Sequence, residues 1–312
     1  MATKYEKIHK SPQGAGDARP TAFQIIKDEN LEGKLESKVI LITGCSSGLG
    51  IETARALATT GATLYLTARD LEKAKKALGD LIASPRVHLL ELDLNSLASV
   101  RACANEFLSK SPTLNIFIAN AGIMACPEGR THDGFETQLG TNHLAHFLLF
   151  NLLKPTLLAS SSPDFNSRAI ILTSLAHPYC QSKTANLWMA NEIDRRYGGE
   201  GLHAWAVNPG GINTGIGQHL PQEAVEGMIK NEELMKAWKS PQQGAATTVW
   251  AAVAKALEGQ GGKYLEDCHI GKPENDADGK WGLGYSKWAY DSGAEARLWK
   301  KSSELVGLNE DA

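Results

Sequence analysis

The sequence predicts an α/β chain built on a doubly wound parallel sheet with helices on both faces. Short apolar runs recur along the 312 residues: VILIT (39–43), TLYLT (63–67), VHLLE (87–91), NIFIA (115–119), AIILT (169–173) and HAWAV (203–207). Most lack the polar alternation of a one-sided sheet, so they read as strands covered on both faces. Helical patterns separate them, beginning near Leu49, Leu71, Asn95, Asp133 and Tyr179. Strand–helix alternation of this kind implies right-handed βαβ units.

Taken in order, residues 1–18 are polar and turn-rich, which predicts a loose arm. Pro20 opens TAFQIIKDEN, a lead-in helix with proline in its first turn. Residues 19–312 then form one domain, with no repeat or interdomain linker. GGKY (261–264) begins a seventh strand, and the tail from Lys272, rich in Gly, Asp, Trp and Lys, receives no assignment. The apolar stretch 143–159 is interrupted by His146, Asn151, Lys154 and Pro155, so it reads as a buried helix rather than a membrane span.

Composition narrows the function. Hydrophobic residues make up 42% and charged residues 21%, an ordinary globular balance. A net charge of -3 and a pI near 6.3 give no footprint for nucleic acid or an anionic membrane. Cys45, Cys103, Cys126, Cys180 and Cys268 are scattered and form no C-x-x-C pair. They read as thiols of a reducing compartment, with no zinc site. The first 20 residues lack an apolar signal core, and the expected location is cytoplasmic.

The segment VILITGCSSGLGIETARALA joins a strand, a glycine-rich turn and a helix, with Gly44, Gly48 and Gly50 in the spacing G-x-x-x-G-x-G. Glycines permit the tight turn and let backbone amides approach a pyrophosphate, at which the helix N-terminus also points. After the second strand comes TARD: Ala68 stands where an acid would favour NAD, and Arg69 suits the 2′-phosphate of NADP. The alternative is a solvated strand-end charge at Arg69, with Asp70 capping the next helix.

TGCSSGLG, NAG (120–122), Y-x-x-x-K (179–183) and NPGGINT (208–214) resemble the short-chain dehydrogenase/reductase family. DGFETQLGTNHLAHFLL (133–149) and QSKTANLWMANEIDRRYG (181–198) resemble its retinol-dehydrogenase-like branch, especially fungal members. The resemblance spans about Lys38 to Tyr264. It implies a Rossmann-type, seven-stranded parallel sheet in the order 3-2-1-4-5-6-7 and an NAD(P) cofactor that oxidises an alcohol or reduces a carbonyl. It also implies a fungal secondary-metabolite setting, and a homodimer or homotetramer paired through the helices after the fourth and fifth strands.

Carried over by position, Ser46, Ser47 and Leu49 lie in the pyrophosphate loop. Asp93 bonds the adenine amino group, or else caps the helix near Asn95. Asn120, Ala121 and Gly122 line the adenine-ribose pocket. Asn142 helps hold a relay water, a role compatible with satisfying backbone groups in a buried helix. Pro209, Gly210 and Thr214 border the nicotinamide.

The chemistry requires a hydride at carbon and a proton at oxygen. Tyr179 can supply the proton if its pKa is lowered, and Lys183, four residues on and on the same helical face, favours the phenolate. Ser174, after the fifth strand, holds the carbonyl oxygen. In the family the tyrosine follows the serine by a dozen or more residues; here only Leu175–Pro178 intervene. Five residue steps extend about 17 Å, so the trio can still meet, but one wall of the pocket is missing. Two functions follow: a reductase of a mostly apolar carbonyl or secondary alcohol, or a catalytically impaired NADP-binding sensor or subunit. The stretch 215–240 forms the other wall, its Ile216, Leu220, Met228, Leu234, Met235 and Trp238 serving as a lid or as ordinary packing.

Overall fold

The computed structural model describes residues 4–174, 180–274 and 283–309. Its strands are β1 (Val39–Ile42), β2 (Thr63–Ala68), β3 (Val87–Glu91), β4 (Ile116–Ala119), β5 (Ser167–Leu172), β6 (Leu202–Asn208), β7 (Lys263–Glu266) and β8 (His269–Ile270). They form one sheet in the order β3-β2-β1-β4-β5-β6-β7-β8. All neighbours are parallel except β7 and β8. The doubly wound α/β class holds, and the expected seven strands become eight among the described residues. The added strand follows a tight reversal with positive φ at Asp267 and Cys268.

The helices are α1 (Glu6–His9), α2 (Ala22–Asp28), α3 (Leu49–Ala58), α4 (Leu71–Leu78), α5 (Leu97–Lys110), α6 (Thr137–Leu139), α7 (Ala145–Ala159), α8 (Cys180–Tyr197), α9 (Gln222–Lys230), α10 (Glu232–Ala237), α11 (Pro241–Gly244), α12 (Ala246–Val253) and α13 (Ser292–Leu305). Because side chains alternate along a strand, the sheet feeds two cores. Val39, Leu41, Phe117 and Ile171 pack under α5, α7, α8 and α13. Ile40, Ile42, Ile118 and Val207 pack under α2, α3 and α12. No helix among the described residues is long and apolar enough to cross a membrane.

Three local expectations change. Residues 4–18 do not form a loose arm: Tyr5 and His9 are buried, and the Tyr5 hydroxyl donates to Asp28 at 2.7 Å. Polarity misleads here because buried polar groups find partners within the fold. Pro20 precedes α2 rather than entering its first turn; Thr21 is the N-cap, accepting from the Gln24 amide. The helix expected from Asp133 starts at Thr137, because the Glu136 carboxylate caps the Gln138 and Leu139 amides. Asp133 instead accepts from the Leu97 amide at 2.8 Å, at the start of α5.

α13 lies across α7 and α8. Trp299 meets Phe147 edge-on at 4.8 Å between ring centroids, with Phe150 and Tyr197 each at 6.3 Å. The Arg196 guanidinium lies 4.8 Å from the Trp299 ring. Glu295 is buried and bonded by Asn191 at 2.7 Å and by Arg195.

Candidate active site

The site forms at the carboxyl ends of the strands, where β1 and β4 lead their chains away in opposite directions across the sheet. Between β1 and α3 the loop turns on Gly44 and Gly48, with φ of 76° and 62°. A Cβ at Gly44 would stand 2.8 Å from the Ala121 Cα, and one at Gly50 2.3 Å from the Gly44 carbonyl oxygen. A Cβ at Gly48 would meet only Thr214, at 3.5 Å. Gly44 and Gly50 thus bring the loop against β4 and α3, and Gly48 sets the turn that presents the amides at the start of α3. Ser46, Ser47 and Leu49 occupy this loop and the first turn of α3, a cradle that fits a pyrophosphate. Gly50→Ala is expected to cost about 1–3 kcal/mol of stability and to weaken dinucleotide binding, measured by denaturant melts and ligand titration.

The neighbouring loop is fixed by Thr43. Its hydroxyl accepts from the Ala121 amide at 3.0 Å and bonds His146 Nε2 at 2.9 Å, while its carbonyl accepts from Asn120 Nδ2 at 2.8 Å. His146 Nδ1 bonds the Asn142 carbonyl at 3.0 Å. Burial pushes His146 down to about 4, so the ring is neutral. The sequence marked His146 only as an interruption in an apolar helix; a histidine within such a run was the available signal. Asn120, Ala121 and Gly122 follow β4 and are half-buried.

Asn142 sits in a π-helical turn, Gly140–Leu144, a local distortion that often accompanies functional sites. Its side chain is buried: the oxygen accepts from the Ile123 amide at 2.9 Å, and the nitrogen donates to the Ile123 carbonyl and to Ser182 Oγ, both at 3.0 Å. It therefore ties the loop after β4 to the start of α8, next to Lys183.

Lys183 is 3% exposed, and its ammonium donates to the Leu172 carbonyl at 3.1 Å. The Thr173 hydroxyl donates to the Lys183 carbonyl at 2.6 Å, holding α8 to the end of β5. Burial lowers Lys183 from the ordinary lysine value to about 8, which leaves it charged at neutral pH. Ser174 follows β5 after Thr173 and is half-buried. Tyr179 and the connection 175–178 lie outside the described residues.

Arg69 and Asp93 stand at the same edge of the sheet, after β2 and β3. Arg69 is exposed, and Asp70 caps α4 through the Lys73 amide at 2.9 Å. Asp93 accepts from the Asn95 amide at 3.0 Å, but the cap of α5 is Ser96. After β6, Pro209 and Thr214 are half-buried and Gly210 is exposed. The stretch 215–240 carries α9 and α10; its six apolar residues named above are all half-buried, and Ile229 is 56% exposed.

Residues 38–224 match the family model described as short chain dehydrogenase. The chain is 46% identical to short-chain dehydrogenase/reductase prx1 of Penicillium roqueforti over 98% of this chain and 96% of that protein. It is 34% identical to retinol dehydrogenase 11 of Homo sapiens over 88% and 87%. A crystal structure of an uncharacterised protein from Mycobacterium paratuberculosis aligns with a TM-score of 0.63 and 32% identity, covering 87% of this chain and 94% of that one. The prx1 alignment runs over 327 positions on a chain of 312 residues, so the relative carries residues that this chain lacks.

Proposed function

Because the chain belongs to the short-chain dehydrogenase family and is an oxidoreductase acting on CH–OH groups, we propose that it interconverts a carbonyl and a secondary alcohol on a mostly apolar small molecule, with NADP as its cofactor. The family uses NAD(P), and the glycine cradle between β1 and α3 is the observation that supports its fit here. Arg69 at the end of β2, with no acid at Ala68, supports NADP over NAD. The half-buried apolar residues of 215–240 support an apolar substrate under a lid. The similarity to fungal relatives supports a place in secondary metabolism.

The bound nicotinamide supplies or accepts the hydride. Ser174, at the strand end, donates its hydroxyl to the substrate oxygen and sets its direction. Tyr179 gives that oxygen a proton in reduction and removes it in oxidation. The buried Lys183 ammonium favours the phenolate and so lowers the cost of the transfer. Asn142 holds the start of α8 and the loop after β4 together, which keeps Lys183 in place for a proton relay. Pro209, Gly210 and Thr214 would border the nicotinamide, while Arg69 and Asp93 would hold the adenosine end.

The test is purified protein with NADPH or NADH and a panel of apolar ketones and secondary alcohols. Hydride transfer that depends on Tyr179 is the expected result. Tight NADPH binding with no turnover on any member would instead mark a binding protein, the reading that the short 174–179 connection favours. Arg69→Ala is expected to raise the KM for NADPH about tenfold and leave that for NADH unchanged, since a charge-assisted bond to the 2′-phosphate is lost.

A further inference from the structure

Beyond α10 the chain runs alongside the loop that follows β6. Ile212 and Lys239 pair as a parallel bridge, and the Lys239 amide donates to the Gly211 carbonyl at 2.9 Å. The Lys239 side chain is buried and passes beneath Gly210: a Cβ there would stand 2.9 Å from Nζ, at a φ of 90°. Nζ donates to the Pro209 carbonyl at 3.0 Å and pairs with Asp267 Oδ1 at 2.5 Å. Asp267 lies in the reversal between β7 and β8, and His9 Nε2 approaches the same carboxylate oxygen at 4.0 Å. A buried ammonium is costly unless paired. Here the pairing is met, and the remaining hydrogen bond is directed at main chain of the loop.

The backbone that carries Lys239 is itself gripped. The Arg19 guanidinium, from the N-terminal segment, donates to the Ala237 carbonyl at 2.7 Å and the Trp238 carbonyl at 2.6 Å. Gln243 Nε2 donates to the Asp17 and Arg19 carbonyls, both at 3.1 Å. On the other side of the loop, a Cβ at Gly244 would come within 2.6 Å of Ile212 Cγ1 and 2.9 Å of Leu49 Cδ2. The loop is therefore held between Lys239 and Gly244, which also abuts the first residue of α3.

We propose that Lys239 is a positioning residue for the nicotinamide half of the cofactor, acting through the Pro209 carbonyl with Asp267 as its counter-ion. This rests on the functional reading above, in which residues 209–214 border the nicotinamide. Lys239 touches no reacting atom. It sets the height of the loop against the phosphate cradle, while Arg69 and the amides of α3 hold the adenosine and pyrophosphate without it. Loss of Lys239 therefore separates the two halves of the cofactor.

The experiment compares the Kd of NADPH with that of 2′-phospho-ADP-ribose, which lacks the nicotinamide, for wild-type protein and Lys239→Met. The Kd for NADPH is expected to rise about tenfold, the effect of one lost charge-assisted bond, while that of the fragment stays within about twofold. Equal weakening of both ligands, or of neither, overturns the proposal. Should Lys239→Met fail to fold, Asp267→Asn, which keeps the volume, is read by the same ratio, and a ratio that does not move overturns it equally. Failure of the underlying reading looks different: the wild-type protein then binds neither NADPH nor NADH.

Discussion

Tyr179→Phe and Lys183→Met are each expected to lower kcat by about 10²–10⁴-fold in NADPH-dependent carbonyl reduction, the usual contribution of a positioned acid and its support. The lysine variant carries a second signature. Lys183 is buried with its pKa lowered to about 8. In the folded protein the charged form is therefore disfavoured relative to the unfolded chain, and below pH 8 both states hold the proton, so the burial cost is fully present. Between about pH 8 and the ordinary lysine value only the unfolded chain holds it, and stability from this group rises with pH. Methionine fills a similar volume without the charge. Relief of that burial cost is expected to favour the variant by roughly 2 kcal/mol at pH 7. The gain should shrink as pH rises above 8. Denaturant melts at pH 6.5 and 9.5 beside the turnover assay check both parts, and a variant that loses activity and stability together contradicts the assignment.

Trp299→Ala is expected to destabilise the protein by about 3–5 kcal/mol, measured by denaturant unfolding. Trp299 is 3% exposed and packs on Phe147, Phe150 and Tyr197 under the Arg196 guanidinium. The indole ring fills the seam between α13 and the two helices beneath it, and alanine leaves a cavity in a region with little freedom to collapse. The consequence extends to assembly. α13 covers α7 and α8, the helices through which the resemblance implies pairing. Light scattering across the Trp299→Ala unfolding transition is expected to show association of the uncovered aromatic face before full unfolding.

Legibility in the sequence followed burial. The strands of the central sheet stood out because both faces are covered, so their apolar runs are continuous; Val87–Glu91 is found with the same limits that its pattern gave. Caps made of short polar side chains were also readable, as Asp70 before α4 shows. What escaped was held by long-range polar contacts. Arg19 and Gln243 carry no local signal of these contacts, yet each satisfies main-chain groups more than 200 positions away in sequence. Lys239 and Asp267 meet only because β6 and β7 are neighbours, and nothing local marks the pair. Ser240 and Gln243 form a capping box, a local pattern that went unread. β8 was missed because two residues show no period, and its turn uses Asp267 and Cys268 at positive φ, where glycine or asparagine is the familiar signal.

That short strand also bears on solubility. A parallel sheet ending at β7 would offer a row of open amides and carbonyls to any extended chain. β8 pairs with β7 through Leu265–Ile270 and Glu266–His269, then stops. It occupies the border with a segment too brief to template another strand. The terminal hairpin thus blunts this border of the sheet against pairing with another extended chain.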